Sequence, residues 1–163
     1  MRKTNVIVAL AAVALTATVT RTVVSQDNSA EAWAKLAAPG PEHKKLEPLV
    51  GTFEASSKMW YAPGQAPTES KGTCENKWIL GGRYVQQTYT SSFNGQTYEG
   101  LGLWGYDNGK KKFTNVWIDS ASTVVQATLG DCDSSGKVIS SVAESDKMKV
   151  RSVVTIVSND KHT

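Results

Sequence analysis

Histidine and cysteine are scarce, with two of each in 163 residues. His43 sits among Lys and Glu, where a surface position is expected, and His162 lies at the end of the chain. Two such residues leave little material for general acid–base work. A Ser–His–Asp arrangement has no G-x-S-x-G elbow to carry it. H-E-x-x-H and C-x-x-C are absent as well, so a zinc site has no motif behind it. There is no Walker A loop. Gly100 and Gly102 of YEGLGLWG stand two apart on a strand with no helix following, which excludes a dinucleotide fingerprint. No cofactor is expected. The two cysteines, Cys74 and Cys132, have no metal-binding spacing. In an oxidising compartment they could pair, and closing that loop would stabilise by about 4 kcal/mol on the chain-entropy model. Two separate buried thiols are the other reading, and the spacing leaves both open.

Long apolar runs are missing too, with one exception. Val6 to Ala17 forms an apolar stretch of about a dozen residues, signal-peptide length and short for a membrane span. Arg2 and Lys3 precede it as a positive flank, and Arg21 would sit badly inside a bilayer. Val23-Val24-Ser25 supplies residues suited to a cut, and no cysteine follows for lipoprotein processing. Residues 1–25 therefore read as a signal peptide, with an uncleaved anchor as the alternative. The protein is expected to be exported, periplasmic or extracellular, with no membrane contact beyond that leader. The basic excess goes with it. Of the 18 Lys and Arg, Arg2, Lys3 and Arg21 lie in the leader, so the remainder match the 15 acidic residues in number. Lys110-Lys111-Lys112 is the one basic cluster, and it falls in a turn, so nucleic acid is not an expected partner.

What is present is turn chemistry between alternating segments. Residues 26–48 read as a linker with short helices. SAEAWAKLAA has Ser29 as N-cap, Pro39-Gly40-Pro41 breaks that helix, and EHKKLEPLVG makes a second short piece. Residues 49–163 read as one β-domain. In GTFEASSKMWY, Phe53, Ala55, Met59 and Tyr61 share a face. ESKGTCENKWIL puts Cys74, Trp78 and Leu80 together. Gly81-Gly82, Asn94-Gly95 and Asp107-Asn108-Gly109 mark turns. RYVQQTYTSSF, QTYEGLGLWGY, KKFTNVWID, STVVQATLG, KVISSVAE and KMKVRSVVTIVS complete about eight strands, the last with Met148, Val150, Val154 and Ile156 inward. Hairpin follows hairpin without a βαβ rhythm, which predicts a mainly β protein, an antiparallel up-and-down barrel. SNDKHT carries no stop signal, and one or two further strands are expected after Thr163, without which the barrel would have an open edge.

PGPEHKKLEPLVGTF, KGTCENKWILGGRY, YEGLGLWGYDN and WIDS together resemble a bacterial family, domain of unknown function 1579, over residues 39–162. The resemblance implies a lipocalin-like, or calycin, barrel. VGTF resembles the Gly-x-Trp element that opens lipocalin barrels, with Phe53 where Trp is usual. It implies an architecture and no activity.

The fifth strand concentrates the functional question. Phe113, Asn115, Trp117 and Asp119 share one face. If that face points inward, Asn115 and Asp119 need partners or water, because an unpaired buried polar group costs about 1–3 kcal/mol. Aromatic walls with a few polar groups describe a small-molecule site. The candidate pocket is Trp78, Arg83, Gln87, Glu99, Trp104, Asn115, Trp117 and Asp119, with Arg83 pairing a carboxylate of Asp119 or of a ligand. Each has a plainer reading: the tryptophans as core, Asp119 as a turn cap, Arg83 as a solvated strand start. Gly100 and Gly102 either clear space for a ligand or make room for Trp104 and a neighbouring aromatic. The leading expectation is binding of a small, partly apolar ligand without turnover. The alternatives are an isomerase or hydrolase using Glu99 or Asp119 as base with Arg83 stabilising charge, a barrel binding haem through His162, and a structural envelope protein with no ligand.

Overall fold

The computed structural model describes residues 23–93, 95–145 and 148–163. The expected leader, residues 1–25, falls almost wholly outside them. Helix α1 (Val23–Ala37) starts earlier than its sequence signals suggest. Ser29, the expected cap, therefore lies inside the helix. Leu36–Thr163 forms a compact unit of its own.

That unit is a mainly β, nearly closed antiparallel barrel. Its nine strands are β1 (Gly51–Met59), β2 (Thr68–Ile79), β3 (Tyr84–Phe93), β4 (Gln96–Asp107), β5 (Lys112–Asp119), β6 (Gln126–Cys132), β7 (Val138–Ser145), β8 (Met148–Ser158) and β9 (Lys161–His162). Each strand pairs with its neighbour in sequence, in the order β1 to β9. The ladder does not run from β9 back to β1; His162 and Phe53 instead meet edge-on with ring centroids 4.6 Å apart. The ninth strand lies in the segment read as a trailing end. The sixth begins at Gln126 rather than in STVV, and Val125 is 65% exposed.

Turn geometry sets the register. Gly81 and Gly82 both hold positive φ, 66° and 79°, which glycine adopts without a steric penalty. Leu80 enters the same turn at φ 49° and faces solvent, so it does not continue the Cys74–Trp78 face. From that register, cross-strand rows run around the wall. One row is Phe53, Cys74, Tyr89, Gly100 and Asp119; the next is Asn76, Gln87, Gly102, Trp117 and Gln126; below it run Trp78, Val85, Trp104, Asn115 and Thr128. Alternation along each strand makes these rows the inner surface.

One end of the barrel is plugged. Helix α2 (Pro41–Lys44) and a 3-10 turn (Glu47–Leu49) push Leu46 and Leu49 against Val85, Trp104, Phe113, Ile139 and Ile156, all buried. Pro41 opens α2, where its missing N–H costs nothing. Two hydrogen bonds latch the plug to β2: Asn76 Nδ2 donates to the Leu49 carbonyl at 2.6 Å, and Trp78 Nε1 donates to Glu47 Oε2 at 2.7 Å. His43, expected at the surface, is buried in this plug. Its Nδ1 accepts from the Gly40 N–H at 3.0 Å, and its ring meets Tyr106 edge-on. Among the described residues no helix is long and apolar enough to cross a membrane.

Candidate functional site

Above the plugged end the interior is not filled. A cavity of about 590 Å³ lies between β1, β2, β3, β4 and β5. Ala55, Ser57 and Met59 line it from β1, Gln87, Tyr89 and Ser91 from β3, and Tyr98 and Trp117 from the far side. Tyr61 and Ala121, from the connecting loops, share the lining. A second cavity of about 420 Å³ lies at the β1–β9 seam and shares Ala55, Gln87 and Tyr89 with the first. Among the described residues, no Lys, Arg, Asp or Glu lines the larger cavity.

Trp117 is the central wall. A Cβ at Gly100 would run into its indole ring, and one at Gly102 would crowd Gln87 Oε1 at 2.9 Å and the indole Cε3 at 3.2 Å. The two glycines thus make room for Trp117, which lies across them from the neighbouring strand. Of the expected pair, Trp104 and a neighbouring aromatic, the neighbouring aromatic is Trp117, while Trp104 sits one row deeper in the packed floor. Tyr89 stands 6.4 Å from Trp117 and 5.9 Å from Tyr98 between ring centroids, close enough to hold one another as a cluster.

Asp119 fixes the rotamer of Trp117. Its Oδ2 accepts from Trp117 Nε1 at 3.1 Å. Its Oδ1 accepts from the Ala121 and Ser122 N–H groups at 3.0 and 3.1 Å, the Asx-type turn expected of an aspartate at a strand end. Both oxygens are therefore committed. Burial pushes the nearby Tyr98 hydroxyl above its ordinary range. That hydroxyl also interacts with the Asp119 carboxylate, which raises it further, and with Trp117, which lowers it.

The cavity floor is a chain of directed hydrogen bonds. Trp104 Nε1 donates to Gln87 Oε1 at 3.0 Å. Gln87 Nε2 donates to Cys74 Sγ at 3.0 Å. Cys74 donates to Asn76 Oδ1 at 3.3 Å, and Asn76 hands on to the Leu49 carbonyl. Burial raises the Cys74 thiol above its usual range, so it stays protonated and suited to this role. Cys132 lies on β6, and both cysteines are free thiols.

The structure brings Gln87 and Trp117 together as lining. It sets Trp78 and Trp104 below them, Asp119 behind Trp117, and Asn115 in the floor row with its Nδ2 buried and unpartnered among the described residues. Arg83 and Glu99 are elsewhere. Arg83 sits in the β2–β3 turn and clamps two backbone carbonyls, Ala37 at 2.9 Å and Leu80 at 3.0 Å. Glu99 is exposed, in a shallow outer depression with Leu101 and Ile118. Tyr89, Tyr98, Ser57, Ser70 and Ser91 were not singled out in the sequence. Period-two alternation from Gln87 points to Tyr89 and Ser91, and from Gly100 to Tyr98. Among the described residues no cluster of three or more His, Cys, Asp or Glu could hold a metal ion.

A family model described as a protein of unknown function, DUF1579, matches residues 38–163, the barrel with the plug that closes it. No curated protein matches the sequence.

Proposed function

The chain belongs to the DUF1579 family, and from that premise and the barrel's interior we propose that it binds a small, partly apolar molecule inside the barrel without chemical turnover. One observation carries the reading: a cavity of about 590 Å³, walled by Tyr89, Tyr98 and Trp117, stands above an apolar plug that is already packed. That volume suits a ligand of modest size, and aromatic walls with a few hydroxyl and amide groups match the usual composition of small-molecule sites. The plug supports the same reading, because a barrel closed at one end and open at the other holds a ligand by burial. In this respect the protein resembles calycin-type carriers. Residues 1–25 act as a signal peptide in this proposal, so the ligand is met in the periplasm or outside the cell.

Titration with N-phenyl-1-naphthylamine, a neutral dye that brightens in apolar surroundings, tests the cavity. Saturable one-to-one binding that falls at least tenfold in Trp117→Ala is the expected result. No saturable binding, together with an empty protein by native mass spectrometry after purification from its own host, would sink the proposal. The mass of the protein recovered from that host tests export: loss of residues 1–25 is expected, and an intact N-terminus in the cytoplasm would refute it.

A further inference from the structure

The polar groups of the cavity specify a ligand class, and the argument rests on the binding reading above. An indole N–H can only donate, so the Trp104 contact requires Gln87 to present Oε1 to it. That fixes the amide. Nε2 then faces the other way, with one hydrogen on Cys74 Sγ, a weak acceptor. Its second hydrogen has no partner in the chain of bonds, and Gln87 lines both cavities. The floor thus offers a neutral donor. One row beneath, Asn115 Nδ2 and Thr128 Oγ1 are buried without partners among the described residues, but they line neither cavity and offer nothing to a ligand there. The Ser57–Ser70 hydroxyl pair at 2.7 Å completes the polar set, the Tyr98 hydroxyl being engaged by Asp119 and Trp117. None of the groups lining the main cavity carries charge; Asp119, beside it, is engaged by Trp117 and its turn, while Glu54, Asp160, Lys161 and His162 line only the second cavity at the seam.

We infer that the ligand is an uncharged amphiphile: an apolar chain or ring system against Met59, Tyr89 and Trp117, with a hydrogen-bond-accepting end, such as a carbonyl or ester, on the Gln87 amide. An anion is disfavoured. In the main cavity a buried carboxylate loses its hydration and meets no cation, and Asp119 opposes it; Lys161, at the seam, is exposed and lines only the second cavity. Fatty-acid carboxylates are therefore excluded and their neutral esters or amides admitted.

The experiment uses the full chain and a matched pair, methyl dodecanoate and dodecanoate, each displacing N-phenyl-1-naphthylamine at pH 8. The ester is expected to displace the dye at a concentration at least tenfold lower. Equal or tighter binding of dodecanoate overturns the inference while leaving the cavity reading intact. Failure of the dye and both lipids to bind overturns the cavity reading itself. Gln87→Met, checked for folding by near-UV circular dichroism, is expected to weaken the ester about tenfold and leave dodecane unchanged. An unchanged ester removes the donor assignment. Should that variant not fold, Ser57→Lys at the accessible wall serves: it is expected to shift preference toward dodecanoate about tenfold, and no shift counts against a charge-based selection.

Discussion

Trp117 illustrates how one residue is held by three unlike constraints. Glycine at 100 and 102 removes the atoms that would displace its ring, Asp119 takes its indole N–H, and Tyr89 and Tyr98 close its remaining flank. Adding a methyl group at Gly100 forces the ring out, because the clash is with a rigid aromatic wedged against its neighbours. Gly100→Ala is expected to destabilise by about 1–3 kcal/mol, the usual range for overpacking, and to lower dye affinity in parallel. Urea denaturation and dye titration check both. A stable variant with wild-type affinity would mean the ring is free to move. His43 gives a second residue-level prediction. Burial lowers its pKa below the ordinary value, aided by Arg83 and opposed by the Tyr106 backbone and Glu42. The unfolded chain then takes up a proton first as pH falls below about 6.5. Its contribution to stability is complete above that pH and is lost as pH falls through the folded value. Burial shifts His162 the same way. His43→Gln keeps an acceptor for Gly40 and removes one titration, so its stability is expected to fall less than wild type's between pH 7 and 5. Denaturant midpoints across that range decide it.

The plug and the hairpins behave differently as elements. The hairpins were legible because period-two alternation and glycine turns act over a few residues, so β2 to β5 fall within a residue or two of their sequence signals. The errors have local causes. STVV has the β-branched composition of a strand, but Asp119 caps a turn through Ser122 and delays β6 to Gln126. β9 has two residues and no periodicity to detect. His43 escapes a local reading because its sequence neighbours are charged, while its burial is decided by a tertiary contact with Tyr106; Arg83 is exposed, as its plainer reading has it, and only its bond to the Ala37 carbonyl is beyond local pattern. The pocket was half legible. Trp117 and Gln87 stood out by residue type, whereas Tyr89 and Tyr98 needed the cross-strand register. At this scale the plug is the stability element and the opposite end the binding element. Leu46→Ala is expected to cost about 2–5 kcal/mol, as for fully buried leucines. Dye affinity, measured well below the denaturation midpoint, is expected to stay within about twofold. A large loss of affinity would mean the two ends are coupled.

At the scale of the whole molecule the barrel has one discontinuity. Eight antiparallel ladders join neighbours in sequence, and the ninth interval, from β9 back to β1, is bridged by the His162–Phe53 ring contact without a ladder. Among the described residues β1 therefore has a strand partner on its β2 side alone. β9 is anchored to β8 by few bonds, among them the reciprocal pair between Thr155 and Thr163. Edge amides that lack a ladder exchange without waiting for global unfolding, while strands paired on both sides open only with the core. The seam also borders the second cavity, which shares Gln87 and Tyr89 with the first. A ligand in the main cavity presses on those two residues, and Tyr89 pairs through Cys74 to Phe53. Hydrogen exchange on the full chain is therefore expected to be fastest in β9, intermediate in β1, and slowest in β3 and β4. Adding N-phenyl-1-naphthylamine is expected to slow β1 more than β7, which lines neither cavity. If β1 exchanges as slowly as β3 in the free protein, the barrel is sealed in solution and the seam does not open; if ligand protects all strands alike, binding stabilises only through global folding.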